Sequence, residues 1–361
     1  MKTRAAVCRA FGQPLTIEEI ELAEPGPGEL RVKIKACAIC HSDIFYADGA
    51  WGGELPAVYG HEAAGVVEAV GPGVKRVKVG DPVVATLIRS CGFCDACAGG
   101  GPVYCEEVFP LDEATPLHDS QGNPIVHGMR TGAFAEHAIV EESQVAKIPA
   151  DLAFDAASLI ACGVITGFGA VVNTAKVPTG ASVVVIGCGG VGLAAINGAA
   201  IAGASRIIAV DMSPAKDNLA RHFGATDFVN GADADAVKTV LDLTKGGVDH
   251  AFEAVGLGKT AEQAFGMLKR GGTAYIIGMI PIGQNVTIPG AAFLGEKKLQ
   301  GSLMGSNHFP VDMPRLVDMY LSGKLLLDDL ISRRIKLEDV NEAFTEMKTG
   351  QIARSVIIFD A

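Results

Sequence analysis

From Ala181 to Gly278 short β-branched runs alternate with segments of helical pattern. Strands are expected at 182–187, 206–211, 226–229, 248–254 and 272–278, and helices at 190–203, 214–223, 232–245 and 260–269. These strands read as continuous apolar runs rather than in/out alternations, so both of their faces must be covered. Strand–helix alternation of this kind folds as a doubly wound parallel sheet, an α/β architecture. Its first turn carries Gly187-Cys188-Gly189-Gly190-Val191-Gly192, directly after a strand and opening a helix. In that context the glycines let backbone approach a pyrophosphate, which then sits at the helix N-terminus. Asp211 closes the next strand, where a carboxylate accepts hydrogen bonds from adenosine ribose hydroxyls. Its charge repels an additional phosphate, so the expected dinucleotide is NAD rather than NADP.

Val177 to Ser205 holds no charged residue and is long enough to cross a bilayer. Pro178, Asn197, several glycines and a change of pattern halfway argue instead for a buried strand and a packed helix, with no membrane span. Met1-Lys2-Thr3-Arg4 is followed by no long apolar region, so the expected compartment is the cytoplasm. A formal charge of −11 argues against a nucleic-acid partner, which calls for clustered Lys and Arg.

In a reducing compartment, nine cysteines point to metal or catalysis rather than to disulfides. Cys91, Cys94, Cys97 and Cys105 lie in CGFCDACAGGGPVYC, where four thiolates can wrap one tetrahedral zinc with no open position. A second group begins at Cys40-His41-Ser42-Asp43 and continues at Gly60-His61-Glu62, with Cys162 as a distant third ligand. Two cysteines and a histidine leave one tetrahedral position free, which is what a catalytic zinc requires. Cys8, Cys37 and Cys188 read as small buried hydrophobes.

The first 150 residues look mostly β, with strand-like segments at 28–37, 63–70, 82–87 and 134–140. The α/β rhythm stops after Gly301. Helices are expected at Pro314–Ser322 and Leu337–Lys348, and a last strand at Ala353–Phe359.

Two zinc sites and an NAD fold on one chain resemble a zinc-dependent alcohol dehydrogenase of the medium-chain dehydrogenase/reductase family. The resemblance runs nearly end to end, through CHSD at 40–43, GHEAAG at 60–65, the four-cysteine lobe, the run CGVITGFGA from Cys162, GCGGVG at 187–192 and QIARSVIIF near the C-terminus. It implies a β-rich, GroES-like catalytic domain over 1–163 and 305–361, and a Rossmann NAD-binding domain over 164–304. Cys40, His61 and Cys162 would hold the catalytic zinc, Asp43 would orient His61, and Glu62 would sit behind the metal. Ser42 would take the alcohol proton. His41 and Arg354 would meet the pyrophosphate, Asp211 and Lys216 the ribose, and Thr166 and Val191 the nicotinamide side.

The resemblance further implies a substrate pocket that includes Ser42, Trp51, Leu87 and Phe134, apolar and suited to aryl or medium-length alcohols, and a homodimer. Phe45 stands where the best-studied animal members place a relay histidine, and Val108 where glutathione-dependent members place an arginine. Two other readings stay open. One is a related enzyme that keeps NAD bound and passes electrons to an external redox carrier. The other is a non-catalytic NAD-binding protein on the same fold.

Overall fold

The computed structural model describes residues 1–232, 235–350 and 352–359. Residues 233 and 234, inside the helix expected at 232–245, and Gln351 of the QIARSVIIF run lie outside the described residues. The chain divides into two compact units. The first comprises Met1–Cys162, His308–Leu321 and Leu327–Ala361, and the second Gly163–Asn307 and Ser322–Leu326.

The first unit is β-rich. Five short strands close a barrel, and beside it lies a seven-stranded sheet. The axis of that sheet is Glu29–Ala38, which pairs antiparallel with Glu62–Val70 on one side. The C-terminal strand Arg354–Ile358 pairs with its end, at Ala36 to Ala38. Alternation in Leu30, Val32 and Ile34 turns these side chains into an apolar core, with Arg31, Lys33 and Lys35 on the other face. The return of the last strand to this sheet explains why the chain's end joins its beginning. The strand expected from 134 starts only at His137, because Ala133 and Phe134 instead donate to the carbonyls of Gly60 and Tyr59.

The second unit is the doubly wound sheet. Its six strands are all parallel, in the spatial order 227–230, 206–211, 182–186, 248–253, 268–276, 298–301. The stretch Val177 to Ser205 resolves into the central strand Ser182–Ile186 and the helix Gly190–Ala202, as its changing pattern requires. The helix expected at 232–245 is described over Ala236–Thr244, capped by the Asp235 side chain.

The helical run Phe154–Thr174 is long and apolar enough to cross a membrane by length and composition, yet 89% of its most apolar stretch is buried in protein. It contains two π-helical turns, Ile160–Val164 and Ala170–Thr174. The helix expected from Pro314 begins a turn earlier and runs Phe309–Leu321. Pro310 suits a first turn, and Pro314 lies so near the start that its missing N–H deprives only one early carbonyl.

Candidate active site

Three elements of the first unit bring the first donor group together. Cys40 follows the strand Glu29–Ala38 and caps the helix His41–Ala47, His61 precedes the strand Glu62–Val70, and Cys162 sits in the first π turn. One ligand atom from each of Cys40, His61, Glu62 and Cys162 lies within 4.8 Å of every other, and all four residues are buried. A π turn adds a residue to the helical repeat and so redirects a side chain, here Cys162.

Asp43, fully buried, accepts from the backbone N–H of Cys40 at 2.9 Å and of Gly60 at 3.0 Å. Its Oδ1 also lies 3.0 Å from His61 Nδ1. The imidazole Nδ1–H donates to this carboxylate, which leaves Nε2 facing the donor group. Burial works against a charged His61, but Asp43 outweighs it and holds the imidazole pKa well above its ordinary value. The Cys162 thiol, together with His61, brings the Cys40 sulfur well below the usual thiol range, while Cys162 is pushed well above it. Ser42 Oγ stands 3.4 Å from His61 Nε2.

Glu62 has no exposed surface, and burial raises its pKa to about 8 against the opposing charge of Arg354. Arg354 Nη1 is 3.1 Å from Glu62 Oε1 and donates to the Ile39 carbonyl at 3.0 Å, while its Nη2 has no partner. The residue that the resemblance assigns to a pyrophosphate is thus turned toward Glu62.

The second donor group lies in the same unit. The Sγ atoms of Cys91 and Cys97 are 3.9 Å apart, as are those of Cys94 and Cys105. Four sulfurs about 2.3 Å from one tetrahedral zinc are roughly 3.8 Å apart, so the lobe has the dimensions of that ion. Gly92 and Gly100 adopt φ of 84°, the left-handed conformation that such tight wrapping demands. Backbone N–H groups of Cys94 and Cys91 donate to the sulfurs of Cys91 and Cys105. None of the nine cysteines is in a disulfide, and Cys8, Cys37 and Cys188 are fully buried.

In the second unit the glycine turn has the shape of a phosphate cradle. A Cβ on Gly192 would collide with the Gly187 carbonyl, whereas a Cβ on Gly189 would meet nothing within 4 Å. Asp211 accepts from the N–H of Cys188 at 2.8 Å and of Ser213 at 2.9 Å, and its Oδ2 lies 3.0 Å from Lys216 Nζ. The glycine turn, the acidic strand end and the lysine therefore form one cluster, which fits a dinucleotide. Thr166 donates to the Met304 sulfur at 3.4 Å, and Val191 is half-buried at the start of the helix.

The expected pocket residues are less uniform. Trp51 is half-buried against Tyr46, and its Nε1 has no partner. Leu87 is half-buried, and His41 is exposed with its ring 6.4 Å from that of Phe45. Phe134 is a correction: it has no exposed surface and packs edge-to-face on Phe344 in the core of the first unit. Sequence reasoning missed the buried polar group Thr86, Arg89, Gln144, because a buried polar partner leaves no periodic signal.

The chain is similar to known proteins over nearly its whole length. Residues 26–150 match the alcohol dehydrogenase GroES-like domain and residues 190–322 the zinc-binding dehydrogenase family. A class-3 alcohol dehydrogenase of Cereibacter sphaeroides is 39% identical over 99% of this chain and 100% of its own. An S-(hydroxymethyl)glutathione dehydrogenase of Paracoccus denitrificans is 37% identical with the same coverage. Among solved structures, benzyl alcohol dehydrogenase from Acinetobacter calcoaceticus superposes with a TM-score of 0.92 at 31% identity, over 100% of both chains. The chain belongs to the zinc-dependent alcohol dehydrogenases of the medium-chain dehydrogenase/reductase family. It is an oxidoreductase of that class, whose cofactors are zinc and NAD(H).

Proposed function

We propose that the chain carries out reversible hydride transfer between NAD and a primary or secondary alcohol, with aryl or medium-length alcohols preferred. The observation that carries this reading is the buried group Cys40, His61, Cys162, backed by Glu62 and oriented by Asp43. When bound, zinc supplies Lewis acidity toward the alcohol oxygen and the nicotinamide accepts hydride. The protein's own part is to position and to move a proton. Asp43 fixes the His61 ring and the Cys40 backbone, so two ligands share one anchor. Ser42 Oγ, beside His61, accepts the alcohol proton. Phe45 offers no onward acceptor, so the proton passes from Ser42 to water. The unit over 1–162 and the C-terminal segments is the catalytic domain, and the doubly wound unit binds NAD.

Trp51 next to Tyr46 supplies the aromatic wall on which the aryl preference rests. The name of the Acinetobacter enzyme supports the same preference, and the names of the class-3 relatives favour S-(hydroxymethyl)glutathione. A panel of ethanol through octanol, benzyl alcohol, cinnamyl alcohol and S-(hydroxymethyl)glutathione, read by NADH absorbance, decides between them. The expected ranking places benzyl and cinnamyl alcohols first. A preference for the glutathione adduct overturns the aryl reading. No turnover, with NAD retained through gel filtration, moves the reading to carrier-coupled oxidation.

A cytoplasmic homodimer is part of the same proposal. Two cysteine-containing donor groups spaced for metal rather than for disulfides support the reducing compartment. The edge strand Lys298–Gly301 is hydrogen-bonded on one side, and Leu294 and Ile282 nearby in the chain are 89% and 73% exposed. An edge that pairs with its own copy across a two-fold axis covers both liabilities.

A further inference from the structure

The donor group is drawn from three elements, and Asp43 ties only two of them together. Cys40 and Gly60-His61 share its carboxylate. The third segment, the π turn with Cys162, is held to the sheet by a different residue. Thr86 Oγ1 donates to the Ala161 carbonyl at 2.7 Å, inside the protein, across 75 residues of chain. Ala161 is the residue immediately before Cys162.

The position of Thr86 follows from sheet register. It stands one residue past the pair Ala63–Ala85, at the end of the strand Pro82–Ala85, so it adjoins the start of the strand that His61 and Glu62 open. A hydroxyl there spans from the row that carries His61 to the helical run that carries Cys162.

Thr86 is itself clamped. Its N–H donates to the Gln144 carbonyl at 3.0 Å, and its carbonyl accepts from Gln144 Nε2 at 2.7 Å. Gln144 Oε1 in turn accepts from Arg89 Nε at 2.9 Å. Arg89, among the largest fully buried side chains, is held by Asp112 at 2.6 Å and by the Arg130 carbonyl at 3.1 Å. Thr86, Gln144 and Arg89 are all buried, so these bonds work in a low dielectric where geometry is held tightly. A line Asp112–Arg89–Gln144–Thr86–Ala161 therefore runs through the protein and ends one residue from the Cys162 sulfur.

We propose that Thr86 is a positioning residue for the catalytic metal: its hydroxyl, set by Gln144 and Arg89, fixes the π turn and so places the Cys162 sulfur among the donors. This rests on the reading of Cys162 as a zinc ligand. Groups that orient metal ligands from behind change metal affinity about 10–100-fold when removed, and Thr86 belongs to that class, acting through backbone.

The test uses the full-length, zinc-loaded protein and the cobalt-substituted protein. Thr86→Val keeps the shape and removes the donor, while Thr86→Ser restores the donor. Metal release to a chromogenic chelator is expected in two phases, one per donor group. Cys162→Ser identifies the catalytic phase by abolishing it. If that variant keeps both phases, it is the ligand reading that fails. Thr86→Val is expected to speed the catalytic phase about tenfold, to leave the four-cysteine phase unchanged and to shift the cobalt ligand-field bands. Thr86→Ser is expected to return both to the parent values. Parent-like release and spectra in Thr86→Val overturn the proposal. So does a Thr86→Ser protein that stays as defective as the valine variant, since this would mark a packing effect without any role for the hydroxyl.

Discussion

Asp43 Oδ1 lies 3.0 Å from His61 Nδ1, while Oδ2 of the same carboxylate accepts the backbone N–H of Cys40 at 2.9 Å. One fully buried anion thus sets the ring plane of one metal ligand and the main chain of another. Asp43→Asn keeps the size and removes the charge. The amide can present only one oxygen where the carboxylate presents two, so at least one of its donors, the N–H groups of Cys40 and Gly60 and the His61 ring, loses its acceptor. The variant is expected to bind catalytic zinc 10–100-fold more weakly, with a matching loss of turnover at limiting zinc. Metal content after dialysis against a buffered zinc series checks this. Parent-like zinc retention would show that the carboxylate does not orient the site.

The four-cysteine lobe is expected to act on stability rather than on chemistry. Its sulfurs are spaced for a closed tetrahedron, and its short elements, Asp95–Ala98 and Pro102–Tyr104, bury little apolar surface of their own. Cys97→Ala is expected to reduce zinc from two ions per chain to one and to lower the unfolding temperature by several degrees. The remaining zinc should stay at the catalytic group. Elemental analysis and thermal unfolding test this, and a variant that still holds two ions would refute the assignment of the lobe.

The four-cysteine lobe and the glycine turn were legible because each is written locally, whereas Cys40, His61 and Cys162 lie far apart in the chain and were joined through the family resemblance. CGFCDACAGGGPVYC and GCGGVG carry their geometry in their spacing, and a strand before and a helix after the glycines complete the pattern. What stayed hidden depends on contacts between distant residues. Arg354 meets the Ile39 carbonyl across 315 residues, and no periodicity announces that pair. Phe134 fits into the core because Gly60 has no side chain, and a Cβ there would collide with the Phe134 ring and backbone, a fact of packing and not of pattern. The same holds for Thr86 and Ala161. The helix around Pro314 starts earlier than expected because Pro314 lies beyond the first turn, where a proline is tolerated only at the loss of one backbone bond and so does not mark the helix start.

Asp211 gathers two backbone N–H groups and the Lys216 ammonium, and its strand-end position is where a ribose would be held. Asp211→Asn preserves shape while removing the charge that repels a 2′-phosphate. The KM for NAD is expected to rise about tenfold, equivalent to about 1.4 kcal/mol, with little change in kcat. Activity with NADP should become measurable. Initial rates with both cofactors decide the matter. An unchanged ratio of kcat/KM for the two would remove Asp211 from cofactor selection.

His127 supplies a pH-dependent term in stability. Its ring is buried and neither nitrogen has a hydrogen-bond partner. Burial, reinforced by the nearby Arg89 cation and opposed by the Thr131 backbone and by Asp112, lowers its pKa from 6.5 to about 4. Unfolded His127 therefore takes up a proton below about pH 6.5, while the folded form stays neutral until about pH 4. The unfolded state binds more protons through that window, so stability rises with pH and falls as the medium is acidified. From about pH 7 to about pH 4.5 the loss attributable to this group is about 2–3 kcal/mol. His127→Leu has no proton to take up and should lose that much less over the same interval. Urea unfolding of both proteins at the two pH values measures the difference, and equal losses would show that His127 is not the group responsible.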